Sequence, residues 1–338
     1  MRLTGLAAVI ACGLCTTMVR ADDAAPAMAF HGWADGYYAW NSNHPDPRVN
    51  WFEGVGTSAH RADQLALNVV ALEIQRDPKP FGFHLIVGAG DSFDVVHLAE
   101  PRRHSAWLRY LYQASVSYTV PIGRGIQLEG GIYPSHIGYE GLFTKDNWNY
   151  TRNWLGEFSP YYQTGAKASY AWSDRWSAQV HVLHGWQNVS DRHAPAALGT
   201  QIACSSGRLS ASLNTYADNH RKFGDLVATY KTTSKLSLGL SADRGHQMPA
   251  NWMGVSAYAR YAFNDRTAID GRIEQYRDPR GLMSSASQTL DEGTLTVEYR
   301  PAAHLILKFE GRCDHSTAPV FANASNQTLA IASAVVAY

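Results

Sequence analysis

Hydrophobic and polar residues alternate at period two along much of the chain. The clearest case runs from Tyr161 to Trp186, YYQTGAKASYAWSDRWSAQVHVLHGW. On its first arm Tyr162, Thr164, Ala166, Ala168, Tyr170 and Trp172 share one face, and Tyr161, Gln163, Gly165, Lys167 and Ser169 share the other. After Ser173-Asp174 the scheme repeats, with Trp176, Ala178, Val180, Val182 and Trp186 set against Ser177, Gln179 and His181. Arms of about ten residues with aromatics near their ends have the length of tilted strands that cross a bilayer. A soluble sandwich strand also alternates, so repetition along the chain decides between the two.

Sixteen such segments follow one another, near residues 30–40, 65–76, 81–89, 106–120, 126–132, 161–172, 176–186, 198–204, 209–217, 226–230, 236–242, 253–263, 267–276, 295–299, 305–313 and 328–338. Their connections alternate in length. DPKP, PIGRG, SD, SSGR, TTSK, ND and PAAH are short, while the intervening ones are mostly longer. Short turns on one side and long loops on the other predict an all-β, antiparallel, up-and-down transmembrane barrel of about sixteen strands, fourteen to eighteen. An even count puts both ends on the short-turn, periplasmic side. Tyr118, Tyr170, Tyr230, Tyr261 and Tyr299 each precede a short turn and a basic residue by five or six positions, which predicts an aromatic girdle at the periplasmic interface.

The start MRLTGLAAVIACGLCTTMVRADDAAPAMA changes the picture from barrel to exported barrel. A basic Arg2, an apolar run from Leu3 to Leu14 and small residues at Val19 and Ala21 read as a secretory signal peptide, residues 1–21, cleaved after Ala21 or, second, after Ala29. A lipoprotein site at Cys12 would leave the apolar region too short. Residues 22–29 then form a short segment ahead of one barrel domain over 30–338. No later segment reaches the eighteen apolar residues of a membrane helix, so strands must do the crossing.

Composition agrees. Aromatic residues make up 12% of the chain, with 18 Tyr and 10 Trp, yet the mean hydropathy is negative, as expected when half of each strand faces water. The 29 basic and 29 acidic residues are scattered, which argues against a nucleic-acid partner. After signal cleavage only Cys204 and Cys313 remain, near opposite rims and too far apart for a disulfide. The 14 His residues show no metal-ligand spacing, and neither a metal nor another cofactor is expected.

Polar-parity positions define the predicted lumen wall: Asp35, Glu73, His84, Arg109, Glu129, Lys167, His181, Asp270, Arg272, Glu274, Lys308 and Glu310. Asp270, Arg272 and Glu274 should form an alternating ladder that keeps the lumen hydrated. The long segment 134–160 is rich in aromatic and charged residues that would be costly to leave in water. It is predicted to fold inward as a constriction, with Tyr139, Glu140, Lys145, Asp146, Trp148, Asn149, Tyr150 and Arg152 in the path. Lys145, Asp146 and Arg152 would pair with wall charges.

Several stretches together resemble the OmpL-like family of outer-membrane β-barrel porins: GWADGYYAWN (32–41), LNVVALEIQR (67–76), PFGFHLIVGAGD (80–91), KDNWNYTR (145–152) and HGWQNVSD (184–191). The resemblance implies a barrel that passes small solutes, and it brings no catalytic residues. The expected function is therefore a water-filled channel for small polar solutes or ions in the bacterial outer membrane, with lipid as its surroundings and a homo-oligomer as a possible assembly. The alternatives are a non-conducting structural or adhesive barrel and, behind it, a hydrolase. For a hydrolase the sequence offers only the loop pairs His104-Ser105 and His315-Ser316, without GxSxG.

Overall fold

The computed structural model describes residues 27–98, 100, 106–191 and 193–338; the signal segment and the His104-Ser105 pair lie outside the described residues. Sixteen strands form one closed antiparallel barrel. They are β1 Ala29–Asn41, β2 Leu65–Arg76, β3 Phe81–Ala89, β4 Leu111–Val120, β5 Ile126–Pro134, β6 Tyr162–Ala171, β7 Trp176–His184 and β8 Ala196–Ser205. The second half comprises β9 Leu209–Ala217, β10 Arg221–Lys231, β11 Leu236–Gln247, β12 Ala250–Asn264, β13 Thr267–Asp278, β14 Gln288–Ala302, β15 Leu305–Ser316 and β16 Asn326–Ala337. Closure between β1 and β16 leaves no edge with unpaired backbone in hydrocarbon. Next to that seam Gly32 and Tyr338 exchange two backbone hydrogen bonds of 2.9 and 2.8 Å.

The period-two pattern works as read. Val116, Leu128, Val180, Leu213, Ile273 and Phe309 are exposed on the outer wall, whereas Asp35, Asp270, Lys308 and Glu310 on the opposite parity are buried inside. All five girdle tyrosines occupy outward positions beside short turns, with Tyr230, Tyr261 and Tyr299 clearly exposed.

One strand is shorter than its pattern suggests. Residues Ala106–Tyr110 form a 3-10 helix, and β4 starts only at Leu111. A strand persists only where a neighbour supplies hydrogen bonds, and β3 offers its last pairing to Leu111, from Val87. Arg109 is therefore not on the lumen wall; it is exposed and pairs with Asp94 of helix α1, Asp91–Val96, at 2.9 Å. A bulge between Ile86 and Val87 also frees Tyr112 from the outward parity, and its ring packs edge-on against Phe143, 5.0 Å between centroids.

The barrel interior holds a core built from loops. Loop 1, residues 42–64, and loop 3, residues 135–161, meet there, and loop 3 carries the short helix α2, Trp154–Glu157. Phe52 stacks on Trp154 with centroids 5.4 Å apart, Trp51 meets Trp154 edge-on at 5.6 Å, and Phe158 and Phe321 complete the cluster. Glu157 joins the loops by accepting from Gly56 N and Thr57 Oγ1, each at 2.7 Å. Gly56 has φ of 91°, and a Cβ there would lie 1.8 Å from Trp51 Cδ1, so only glycine allows this approach.

Candidate functional site: the inward-folded third loop

Loop 3 leaves β5 at Pro134, crosses the lumen and returns to β6 at Tyr162, and its backbone polar groups need partners wherever water is excluded. The wall of β10 to β16 and β1 supplies them. Glu310 accepts from Tyr150 N at 2.5 Å, Thr151 N at 2.9 Å and Thr151 Oγ1 at 2.5 Å. Glu274 accepts from Trp154 N and Leu155 N, both at 2.7 Å, which satisfies two of the free amides in the first turn of α2. Asn153 caps the same helix by accepting from Gly156 N at 2.8 Å. Lys308 Nζ donates to the carbonyls of Thr144 and Asn147. Asp35 accepts from Thr144 Oγ1 at 2.7 Å and from Tyr150 Oη at 3.1 Å.

Arginines form the second set of ties. Arg272 contacts Glu140 of the loop and Glu292 of β14, both at 2.8 Å, and donates to Thr151 O at 2.6 Å. Arg312 pairs with Asp314 at 2.8 Å, donates to Arg152 O at 2.6 Å and lies over Trp51 and Trp154. Asn149 donates to Thr296 Oγ1 at 2.8 Å. The arginine bonds are charge-assisted and lie in a dry environment, where they are strong once made and costly to leave half-made.

Two expectations about charge are corrected by this arrangement. Asp270, Arg272 and Glu274 do not form a hydrated ladder; all three are buried, and each binds elsewhere, Asp270 to Arg260, Arg272 to Glu140 and Glu292, and Glu274 to loop amides. The loop covers them, so water cannot reach them. Among Lys145, Asp146 and Arg152, none pairs with a wall charge. Lys145 and Asp146 pair with each other at 2.8 Å, and Arg152 lies over Tyr161 and donates to Glu140 O. Glu310, Glu274, Lys308 and Arg272 bind the loop's backbone instead, because peptide groups outnumber charged side chains on a folded loop.

The first limb of the loop is held by aromatic contacts. His136 stacks on His181 with centroids 4.2 Å apart, its Nδ1 lies 2.8 Å from Gln163 Oε1, and its Nε2 lies 2.9 Å from Thr215 O. Burial holds the His136 imidazole below its ordinary value. Tyr139 stacks on Tyr258 at 4.3 Å, and burial pushes its phenol up to about 12. Trp148 meets both rings edge-on.

Below the loop, on the short-turn side, two chambers remain. One of about 710 Å³ is lined by Arg76, His84, Arg124, Glu129, Lys167 and Gln179 among others, and one of about 560 Å³ by Tyr139, Asp146, Trp148, Lys231 and Arg260. Glu73 pairs with His84 at 2.6 Å and Glu129 with Lys167 at 2.9 Å on the same wall. Every expected wall residue except Arg109 thus faces the lumen.

Glu292 and Asp314 lie beyond the strands expected near 295–299 and 305–313, which extend to Gln288–Ala302 and Leu305–Ser316, whereas Glu298 and Arg312 share the inward parity of those segments and are lumen residues that the sequence analysis leaves out. Leu290, Glu292, Thr294, Thr296 and Glu298 alternate cleanly and carried the signal of the longer strand. Trp51 and Phe52 were missed as plug residues, although exposed aromatics in loop 1 pose the same problem as those in loop 3.

A closed sixteen-stranded barrel with an apolar outer wall, a polar lumen and an inward-folded third loop defines a protein of the outer-membrane porin class. The sequence matches the family described as putative beta-barrel porin-2, OmpL-like, over residues 27–338, and the chain belongs to that family. A comparison with curated proteins finds no match. Similar solved structures include OprB of Pseudomonas putida, with a TM-score of 0.63 at 12% identity over 92% of this chain and 94% of that one. The anion-selective porin from Comamonas acidovorans gives 0.61 at 12% identity over 92% and 99%. The outer membrane channel DcaP of Acinetobacter baumannii gives 0.60 at 10% identity over 93% and 98%. The protein is accordingly a porin of the bacterial outer membrane, a channel for passive diffusion of solutes.

Proposed function

We propose that loop 3 sets what this porin passes, by narrowing the lumen to a path for small polar solutes or ions. The observation that carries the reading is the fixing of residues 138–155 to the far wall through Glu310, Glu274, Arg272 and Lys308. A loop so tied is a rigid partition, and rigid partitions define pore size. Its free underside presents Asp146 and Trp148 near Arg260, so both charge signs border the path. The tyrosine girdle, Tyr118 to Tyr299, would seat the short-turn rim among lipid headgroups.

Deletion of Glu140 to Arg152 tests the reading. Single-channel recording should show a clear rise in conductance and loss of ion preference, and unchanged conductance through a correctly folded deletion variant rejects it. A second reading, a non-conducting structural or adhesive barrel, is favoured by the Trp51, Phe52, Trp154, Phe158 and Phe321 cluster that fills the upper lumen. A wild-type barrel that inserts and carries no current selects it.

Self-association is proposed on the outer face of β3 to β7, where small residues, Gly130, Ala166 and Ala168, form a groove between Phe81, Val116 and Val180. OmpT of Vibrio cholerae, 10% identical, was solved in a trimer form. Crosslinking of the detergent-folded protein that yields monomer alone rejects the assembly.

A further inference from the structure

Above the tyrosine girdle the outward positions of the wall face hydrocarbon, where a charge is costly. Among the described strands, Lys and Arg nevertheless stand at three of them, Lys222 on β10, Arg244 on β11 and Arg277 on β13, all exposed. They are gathered on one quarter of the barrel. Arg244 stands opposite Met253 and Met253 opposite Arg277; in the adjoining row Lys222 stands opposite His246. The described ion pairs of β10 to β15 join Arg260, Arg272, Arg300, Lys308 and Arg312 to acids and leave these three cations out. One row below Arg277, the outward carboxylate of Asp291 accepts from Gln275 Nε2 at 2.7 Å.

The height of the patch puts it at the outer headgroups. Lys222 and Tyr230 on β10 are eight residues apart, as are Met253 and Tyr261 on β12. At about 3.3 Å per residue and a tilt of about 40°, the patch stands roughly 20 Å above the periplasmic girdle, near the top of an apolar band about 25 Å tall. From that level the stems of arginine and lysine lie along the wall while their charged ends reach the headgroup layer. Leu226, Leu240, Val255 and Ile273 are exposed just below, among the acyl chains. The connections directly above are short, 218–220 between β9 and β10 and 248–249 between β11 and β12, so they leave the cations uncovered.

We propose that Lys222, Arg244 and Arg277 bind an outer-leaflet glycolipid whose headgroup carries more than one phosphate. Charge complementarity selects an anion, and the arginine fork matches phosphate through two parallel hydrogen bonds. Spacing selects the number. Strands about 4.8 Å apart spread the cations of β10 to β13 over about 14 Å, wider than one phosphate spans, so separate phosphates on one headgroup fit where a single-phosphate lipid does not. His246 and Asn251, joined at 2.7 Å between Lys222 and the arginines, offer hydrogen bonds to sugar hydroxyls. The patch lies on the far side of the barrel from the β3 to β7 groove, so self-association through that groove leaves it facing lipid.

The test is native mass spectrometry of the detergent-folded full-length mature barrel with one lipid added at a time. Diphosphoryl lipid A should be retained, one per chain, at least tenfold more than phosphatidylglycerol, an anionic lipid with a single phosphate. Arg244→Gln/Arg277→Gln should cut that retention at least tenfold, and Lys222→Gln several-fold. All three positions face outward, so both variants should keep the heat-modifiable migration of wild type. Lys235→Gln/Arg266→Gln, exposed at the short-turn rim, removes the same charge and should retain lipid as wild type does. Inorganic phosphate should not displace the lipid; displacement would reassign the patch to a free anion and overturn the proposal. It is overturned equally if wild type retains no diphosphoryl lipid A, if phosphatidylglycerol is held as well, or if the folded Arg244→Gln/Arg277→Gln barrel retains as much as wild type.

Discussion

Replacing Glu310 with Ala isolates the docking of loop 3 from the barrel itself. The Glu310 backbone stays paired on both sides in β15, to Thr296 of β14 and Ile331 of β16, so the wall does not depend on its side chain. The carboxylate holds three loop donors, Tyr150 N, Thr151 N and Thr151 Oγ1, plus Thr296 Oγ1 of the wall at 2.7 Å. Hydrogen bonds to a charged group contribute roughly 1.5–3 kcal/mol each, and the desolvation of the carboxylate offsets part of the sum. Removing one partner of a buried charged cluster costs about 3–5 kcal/mol in practice. At about 1.4 kcal/mol per factor of ten, the lower figure raises the undocked population of the loop more than a hundredfold.

Two assays read that shift. Hydrogen exchange at the Tyr150 and Thr151 amides should accelerate by two orders of magnitude in Glu310→Ala, and single-channel traces should gain noise and larger openings. Glu310→Gln keeps one acceptor oxygen and should cost about 1–2 kcal/mol, placing it between the two. Phe309→Leu changes the adjacent, lipid-facing residue and should leave both assays at wild-type values. If Glu310→Ala folds to a heat-modifiable barrel with unaltered exchange at residues 149–153, the docking energetics argued here are wrong.

Lys308→Met should release the Thr144 and Asn147 carbonyls and increase protease cleavage near Lys145, whereas equal cleavage in wild type and variant would count against the tether. Leu213→Arg, on the outer wall, should destabilise the barrel by about 2–4 kcal/mol in denaturant titration, while Ser212→Arg, on the chamber side, should cost far less. Equal losses would mean the faces are misassigned. His136 is held neutral by burial, so docking of the first loop limb has its full stability above the undocked pKa of about 6.5 and loses it as pH falls through the lowered docked value. Lys167 and the stacked His181 add to that penalty and Asp225 opposes it. Exchange of residues 136–140 should therefore quicken on acidification, and His136→Gln should remove the dependence. Cys204 and Cys313 are both free and sit on outward positions, so a membrane-permeant maleimide should label both, and a disulfide between them would contradict the strand order.

The fold was legible because a barrel wall is a one-dimensional code. Alternation at Tyr162 to Trp172, repeated sixteen times with alternating loop lengths, fixes facing, strand count and closure, since open edges are forbidden in hydrocarbon. Even the failure at Arg109 follows from the same rule, because pairing rather than pattern ends a strand where its neighbour β3 ends. The inward fold of 134–160 was legible from cost alone, as Tyr150 and Trp154 could not remain in water. Their partners were not legible. Nothing in the spacing of Glu310, Glu274 and Lys308 says that they bind peptide groups 160, 119 and 164 residues away, because the alternation fixes which side they face and not what fills that side. The sequence records the lumen wall as polar, and polar residues are equally suited to water and to a docked loop. What separates the two outcomes is whether the loop brings enough unpaired amides and carbonyls to match the wall. In loop 3 it does: Tyr150, Thr151, Trp154 and Leu155 present amides to the two glutamates, and Thr144 and Asn147 present carbonyls to the lysine. The charges of the wall that loop 3 docks on, Glu310, Glu274 and Lys308, are thus better understood as the template for a folded loop than as the lining of open water, whereas Glu129 and Lys167 still line the neighbouring chamber.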